Sequence, residues 1–192
     1  TLKQLLGDAL YQDTVRAVGT ENSGGINHMK PWAVMMLLSA PKKEGRGLFL
    51  DMMLQARAIR EGKANYGLET MEEQIGVFNG MSLEDQVTML RDVVKDTHLT
   101  RSALDALTHA YLQRDLSALV RLSEQFKGSN PRAHDELMKR LLTERNHTMA
   151  KRMPERLKEG NAFIAVGALH LPGEDGLLQL LSKAGYRVTR VY

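Results

Sequence analysis

The sequence predicts an α/β protein that is helix-rich, with a small, mostly parallel sheet and a C-terminal βαβ unit. Helical apolar spacing over most of the chain is the first observation behind this. Short strand-like runs at 64-ANYGLE-69, 162-AFIAV-166 and 186-YRVTRV-191 are the second. The third is the order strand, helix of about 174–184, strand at the C-terminus, since parallel pairing requires such a crossover.

Taken in order, residues 1–18 read as a helix, with Leu2, Leu5, Leu6, Ala9 and Leu10 at helix spacing, and 19-GTENSGG-25 as a loop. A second helix opens at 31-PW-32, where proline's missing N–H costs nothing. The connector 41-PKKEGRG-47 leads to a helix over 51–63 with Asp51 in its first turn. The run 64–69 is then followed by 70-TMEE-73, a Thr-x-x-Glu capping box, so Glu69 sits where a strand ends and a helix begins. From Ser82 the pattern is helical, with a break near 96-DTHLT-100 and a helical pair between Arg101 and Phe126. After the 128-GSNP-131 turn, one long helix runs from about Ala133. No repeat or linker divides the chain, so one domain is expected over residues 1–192.

Composition narrows the function. The 192 residues with 43% hydrophobic content can bury a core. Lys+Arg 26 against Asp+Glu 23 gives a formal charge of +3 with the signs interspersed, which argues against a nucleic-acid binder. The absence of cysteine removes disulfides, thiolate metal sites and thiol nucleophiles. The longest apolar run, 33-AVMMLL-38, is far short of the roughly 20 residues a membrane span needs. No HExxH, GxSxG or Walker-type loop is present, so those chemistries have no support.

What stands out is where polar residues interrupt apolar patterns. Leu137, Leu141, Met149, Met153 and Leu157 form an i, i+4 row whose missing member is Arg145. The neighbouring row, Met138, Leu142 and Ala150, is broken by Asn146. An arginine on a core-facing stripe must be paired, line a polar cavity, or reach past the core edge to a surface carboxylate. Glu69 and His170 each follow an expected strand, and strand ends are where open α/β sheets bind ligands. Taken singly, Glu69 also fits a solvated residue favoured at a helix N-terminus. His170 equally fits a loop histidine without a role.

These residues lie in segments that resemble a known family. The stretch 166-VGALHLPGEDGLLQLLSKAGYRV-188 resembles the C-terminal signature of the TraB/GumN family, the group that includes the Tiki-like metalloproteases. Within it, 167-GALH-170 matches the family's second Gly-x-x-His motif, and 31-PW-32, 67-GLETMEEQ-74 and 144-ERN-146 agree in order. The resemblance implies that His170 is a metal-site or catalytic histidine, Glu69 its acidic partner, and Arg145 and Asn146 part of the same pocket. Asp51 is a weaker candidate. The family's first Gly-x-x-His motif has no counterpart in the right setting, since His28 lies in a Gly-rich loop just before 30-KPW-32. The expectation is therefore a domain that has lost, or never included, its N-terminal strand region.

The function that follows from the resemblance is a metal-dependent, peptidase-like hydrolase acting on a peptide or protein. A divalent cation, Mn or Co ahead of Zn, would be bound by His170 and Glu69 and would activate water. Arg145 and Asn146 would stabilise negative charge on the substrate oxygen. The alternative is a regulator that binds a pheromone-like peptide without cutting it. The resemblance favours a bacterial periplasm or cell envelope over the cytoplasm and leaves room for a homo-oligomer.

Overall fold

The computed structural model describes residues 1–40, 49–125 and 127–191. The expected connector at 41–47 and the end of the helical pair at Phe126 lie outside the described residues. In chain order the helices are α1 (Leu2–Val18), α2 (Pro31–Ser39), α3 (Leu50–Arg60), α4 (Met71–Asn79) and α5 (Leu83–Lys95). They continue as α6 (Thr97–Leu112), α7 (Leu116–Gln125), α8 (Pro131–Met138), α9 (Arg145–Glu159) and α10 (Leu177–Lys183). A 3-10 segment, Thr20–His28, replaces the loop expected after α1, and α8 joins α9 through a π-helical turn, Lys139–Glu144.

The helices start where local chemistry says they should. The Thr1 hydroxyl accepts from the Gln4 N–H while the Gln4 side chain returns to the Thr1 backbone, which opens α1. At α4 the Thr70 hydroxyl accepts from the Glu73 N–H at 3.2 Å and Glu73 Oε2 accepts from the Thr70 N–H at 2.8 Å. Asp96 closes α5 and caps α6 through the Leu99 N–H, which accounts for the break expected near 96–100.

The chain divides into two compact units. One comprises Thr1–Pro41 and Ile75–Leu141, with a core of Leu2, Leu6, Ile26, Val34, Met35 and Leu90. Here 31-PW-32 has a structural task. Trp32 stacks on Phe78 with ring centroids 5.1 Å apart, and Asn79 Oδ1 accepts from both Trp32 Nε1 (3.1 Å) and Lys30 Nζ (2.8 Å). The other unit comprises Lys42–Gln74 and Leu142–Tyr192, and its core is Met149, Met153 and Leu177, against which Leu68, Ile164, Val166 and Leu181 pack.

The expected α/β class is corrected by the structure: among the described residues every regular element is helical and there is no sheet. The helix between the two expected C-terminal strands is present as α10, but residues 162–166 and 186–191 have no regular structure. So do residues 64–66, in the run expected to end in a strand at Glu69. The physical reason is that a strand exists only through its ladder, and propensity supplies no partner. Ile164 and Val166 still pack into the core as an alternating pattern requires, while Phe163 between them is 79% exposed. The single helix expected from Ala133 is likewise interrupted, by the wider π turn. No described helix is long and apolar enough to cross a membrane.

Candidate functional site

The site lies wholly within the unit formed by Lys42–Gln74 and Leu142–Tyr192. Its framework is the start of α9. The helix emerges from the π turn with Arg145 and Asn146 as its first residues, one turn before Met149 and Ala150, on the stripe that carries Met149 and Met153 into the core. Both polar residues are thereby directed inward, and Asn146 is only 2% exposed.

Arg145 meets Glu69. Its Nε donates to Glu69 Oε1 at 2.8 Å and its Nη2 to Glu69 Oε2 at 2.7 Å, the two-pronged geometry that suits guanidinium and carboxylate. The Glu69 side chain is 6% exposed and that of Arg145 22%. The pair is therefore largely desolvated, and each charge depends on the other. The turn that delivers Glu69 is tight: a Cβ at Gly67 would stand 2.9 Å from the Glu69 carbonyl oxygen.

Asn146 meets His170. The Asn146 amide nitrogen donates to the Asp175 carbonyl at 2.8 Å, which turns its Oδ1 toward the imidazole, and Nδ1 of His170 lies 2.6 Å from that oxygen. An amide oxygen can only accept, so Nδ1 carries the proton and Nε2 is left as the lone-pair nitrogen of the neutral ring. His170 is 7% exposed. Burial lowers its pKa, the Arg145 charge lowers it further, and Glu69 acts in the opposite direction. The ring is therefore neutral near pH 7, with one defined nitrogen able to take a proton or bind a cation.

His170 is carried by a short 3-10 turn, Ala168–His170, and the following segment closes against α10 at Gly176. A side chain at Gly176 would run into the carbonyls of Leu171 and Pro172, so glycine is required there. Neither carboxylate of 173-GEDG-176 caps α10; the Asp175 carbonyl takes Asn146 and its carboxylate lies 3.1 Å from His147 Nε2.

The structure thus brings together Glu69, Arg145, Asn146 and His170. Asn146, expected to stabilise charge on a substrate, has its amide engaged by Asp175 and His170. Asp51 is exposed in the first turn of α3, and His28 ends the 3-10 segment of the other unit. Sequence reasoning missed Arg152, which donates to the Leu68 carbonyl at 2.7 Å and holds both Glu73 oxygens at 2.7 and 2.8 Å. The available signal was its spacing of two helical turns from Arg145. Asp175, acting through its backbone, left no signal.

A catalytic metal is commonly held by three protein donors with a position open for water. Among the described residues no three His, Cys, Asp or Glu side chains converge in this way. The site offers Nε2 of His170 and a Glu69 carboxylate whose oxygens both already accept from Arg145. These residues do not by themselves fit a metal centre.

The TraB/PrgY/gumN family model matches residues 1–190. The chain is 25% identical to the "Metalloprotease TIKI2" of Danio rerio over 185 residues, covering 82% of this chain and 36% of that protein. It is 24% identical to the "Metalloprotease TIKI homolog" of Amphimedon queenslandica over 194 residues, covering 88% of this chain and 38% of the relative. The chain thus spans less than two-fifths of the length of these relatives. No solved structure matches it.

Proposed function

Because the chain belongs to the TraB/PrgY/gumN family, we propose that it carries a peptidase-like function centred on Glu69, Arg145, Asn146 and His170. The observation that carries the reading is the buried His170, held as one tautomer by Asn146 beside an arginine–carboxylate pair. A neutral imidazole with a fixed lone pair is suited to take a proton from an attacking water. Arg145 supplies positive charge near that position, and Glu69 fixes Arg145 by two hydrogen bonds rather than one. The naming of both relatives as metalloproteases supports peptide or protein as the substrate class.

The divalent cation implied by the resemblance would need a donor beyond His170 and Glu69. A second reading is retention of a peptide without cleavage, which would use the same polar cluster and need no metal. One experiment separates the two. The protein is incubated with a tryptic digest of casein, in EDTA and with added Mn, Co or Zn, and the peptides are followed by mass spectrometry. New termini that disappear with His170→Ala support the hydrolase, and intact peptide recovered with the protein supports the binder. Neither result with any addition would overturn both readings.

A further inference from the structure

We infer that Arg152 is a positioning residue that clamps the backbone on both sides of Glu69 and so sets its carboxylate against Arg145. Its Nη1 donates to the Leu68 carbonyl at 2.7 Å, which fixes the peptide bond entering Glu69. The same Nη1 donates to Glu73 Oε2 at 2.8 Å and Nη2 donates to Glu73 Oε1 at 2.7 Å. Glu73 Oε2 in turn accepts from the Thr70 N–H at 2.8 Å, which fixes the peptide bond leaving Glu69. One guanidinium thus holds position 68 directly and position 70 through a single carboxylate.

The clamp belongs to a larger arrangement on α9. Arg156 stacks over the Tyr66 ring at 3.8 Å, Arg152 takes Leu68 and Glu73, and Arg145 takes Glu69. Residues 145, 152 and 156 are separated by seven and four positions, close to whole helical turns, so all three project from one face. The segment from Tyr66 to Glu73 has no strand or helix of its own before Met71. Arginines on α9 do the work that a strand ladder would otherwise do. An isolated surface ion pair contributes little, but here the gain is geometric, because a single planar fork bonds a backbone carbonyl and both oxygens of a cap.

The role of Arg152 in the reaction rests on the peptidase-like reading, whereas the clamp itself does not, and the test separates them. The coupling between Glu69 and Arg145 is measured by a double-mutant cycle in urea unfolding, using Glu69→Gln and Arg145→Met. The cycle is run with Arg152 present, with Arg152→Ala and with Arg152→Lys, and repeated in Glu73→Gln as the milder variant. Residues in contact couple by about twofold to more than a hundredfold in the unfolding constant. The expected result is a coupling that falls below about twofold in Arg152→Ala and Glu73→Gln and recovers only partly in Arg152→Lys, which cannot form the fork.

An unchanged coupling in Arg152→Ala and Glu73→Gln overturns the clamp, whatever the protein does to peptides. Lost coupling with the casein peptides cleaved or retained as by wild type overturns the role in the reaction. Lost coupling with a matching fall in kcat, or in retention, supports the inference in full. If wild type neither cleaves nor retains peptide, the proposed function and the role in the reaction fall together. The cycle still decides the clamp.

Discussion

Asn146 reads the ring of His170: its Oδ1 lies 2.6 Å from Nδ1 while its Nδ2 is held by the Asp175 carbonyl at 2.8 Å. Exchanging the two ends of the amide would set donor against donor. Asn146→Leu should leave the buried Nδ1–H without an acceptor and cost about 1–3 kcal/mol. Asn146→Asp should instead raise the His170 pKa by placing a carboxylate against the ring. NMR titration of the imidazole and urea unfolding read the two effects separately.

His170 also predicts how stability depends on pH. Its folded pKa lies below the ordinary 6.5, chiefly through burial. Above 6.5 neither the folded nor the unfolded state binds the proton, so the stability is complete. As the pH falls from 6.5 toward the lower folded value, the unfolded state gains the proton first and stability is lost. Urea midpoints between pH 8 and 5 should fall for wild type and fall less for His170→Gln.

The Glu69–Arg145 pair should be costly to break and cheap to remove whole. Glu69→Ala leaves a guanidinium largely desolvated and should cost about 2–3 kcal/mol, below the range for a fully buried pair because Arg145 is partly exposed. The double variant Glu69→Leu with Arg145→Met should be more stable than either single removal predicts. Thermal unfolding of the three proteins checks this.

At Glu73 the sign is that of a stabilised carboxylate. The Arg152 fork, with the Thr70 N–H, takes its pKa from 4.5 down to about 2. The stability it contributes is present above 4.5 and lost as the pH falls through about 2. An acid titration followed by circular dichroism should show Glu73→Gln losing that acid dependence.

Gly67→Ala should disturb the site without touching any of its side chains. The added Cβ would stand 2.9 Å from the Glu69 carbonyl oxygen, a backbone atom that cannot swing aside. We expect a loss of about 1–3 kcal/mol. Amide hydrogen exchange at residues 68–70 should rise more than at α10.

The candidate cluster was legible because its residues violate local patterns. Arg145 and Asn146 interrupt apolar rows and Glu69 precedes a capping box, and such anomalies survive in a single sequence. The sheet was misread for a different reason. A run such as 162-AFIAV-166 reports what a strand would bury, but pairing is a contact between distant segments and leaves no local mark. The π turn was hidden because one extra residue in a helix leaves the composition untouched. Arg152 escaped because its i, i+4 neighbours, Thr148 and Arg156, are polar, so it interrupts no apolar row and leaves only its two-turn spacing from Arg145 as a trace.

The apolar stretch at 162–166, which has no regular structure, bears on how this protein is handled at the bench. A short run of apolar residues with no charge, no proline and an exposed phenylalanine is the kind of segment that stacks into cross-β fibrils. Concentrated stocks should develop thioflavin-positive haze on storage, and Phe163→Lys, which leaves the partly buried Ile164 and Val166 alone, should delay its onset.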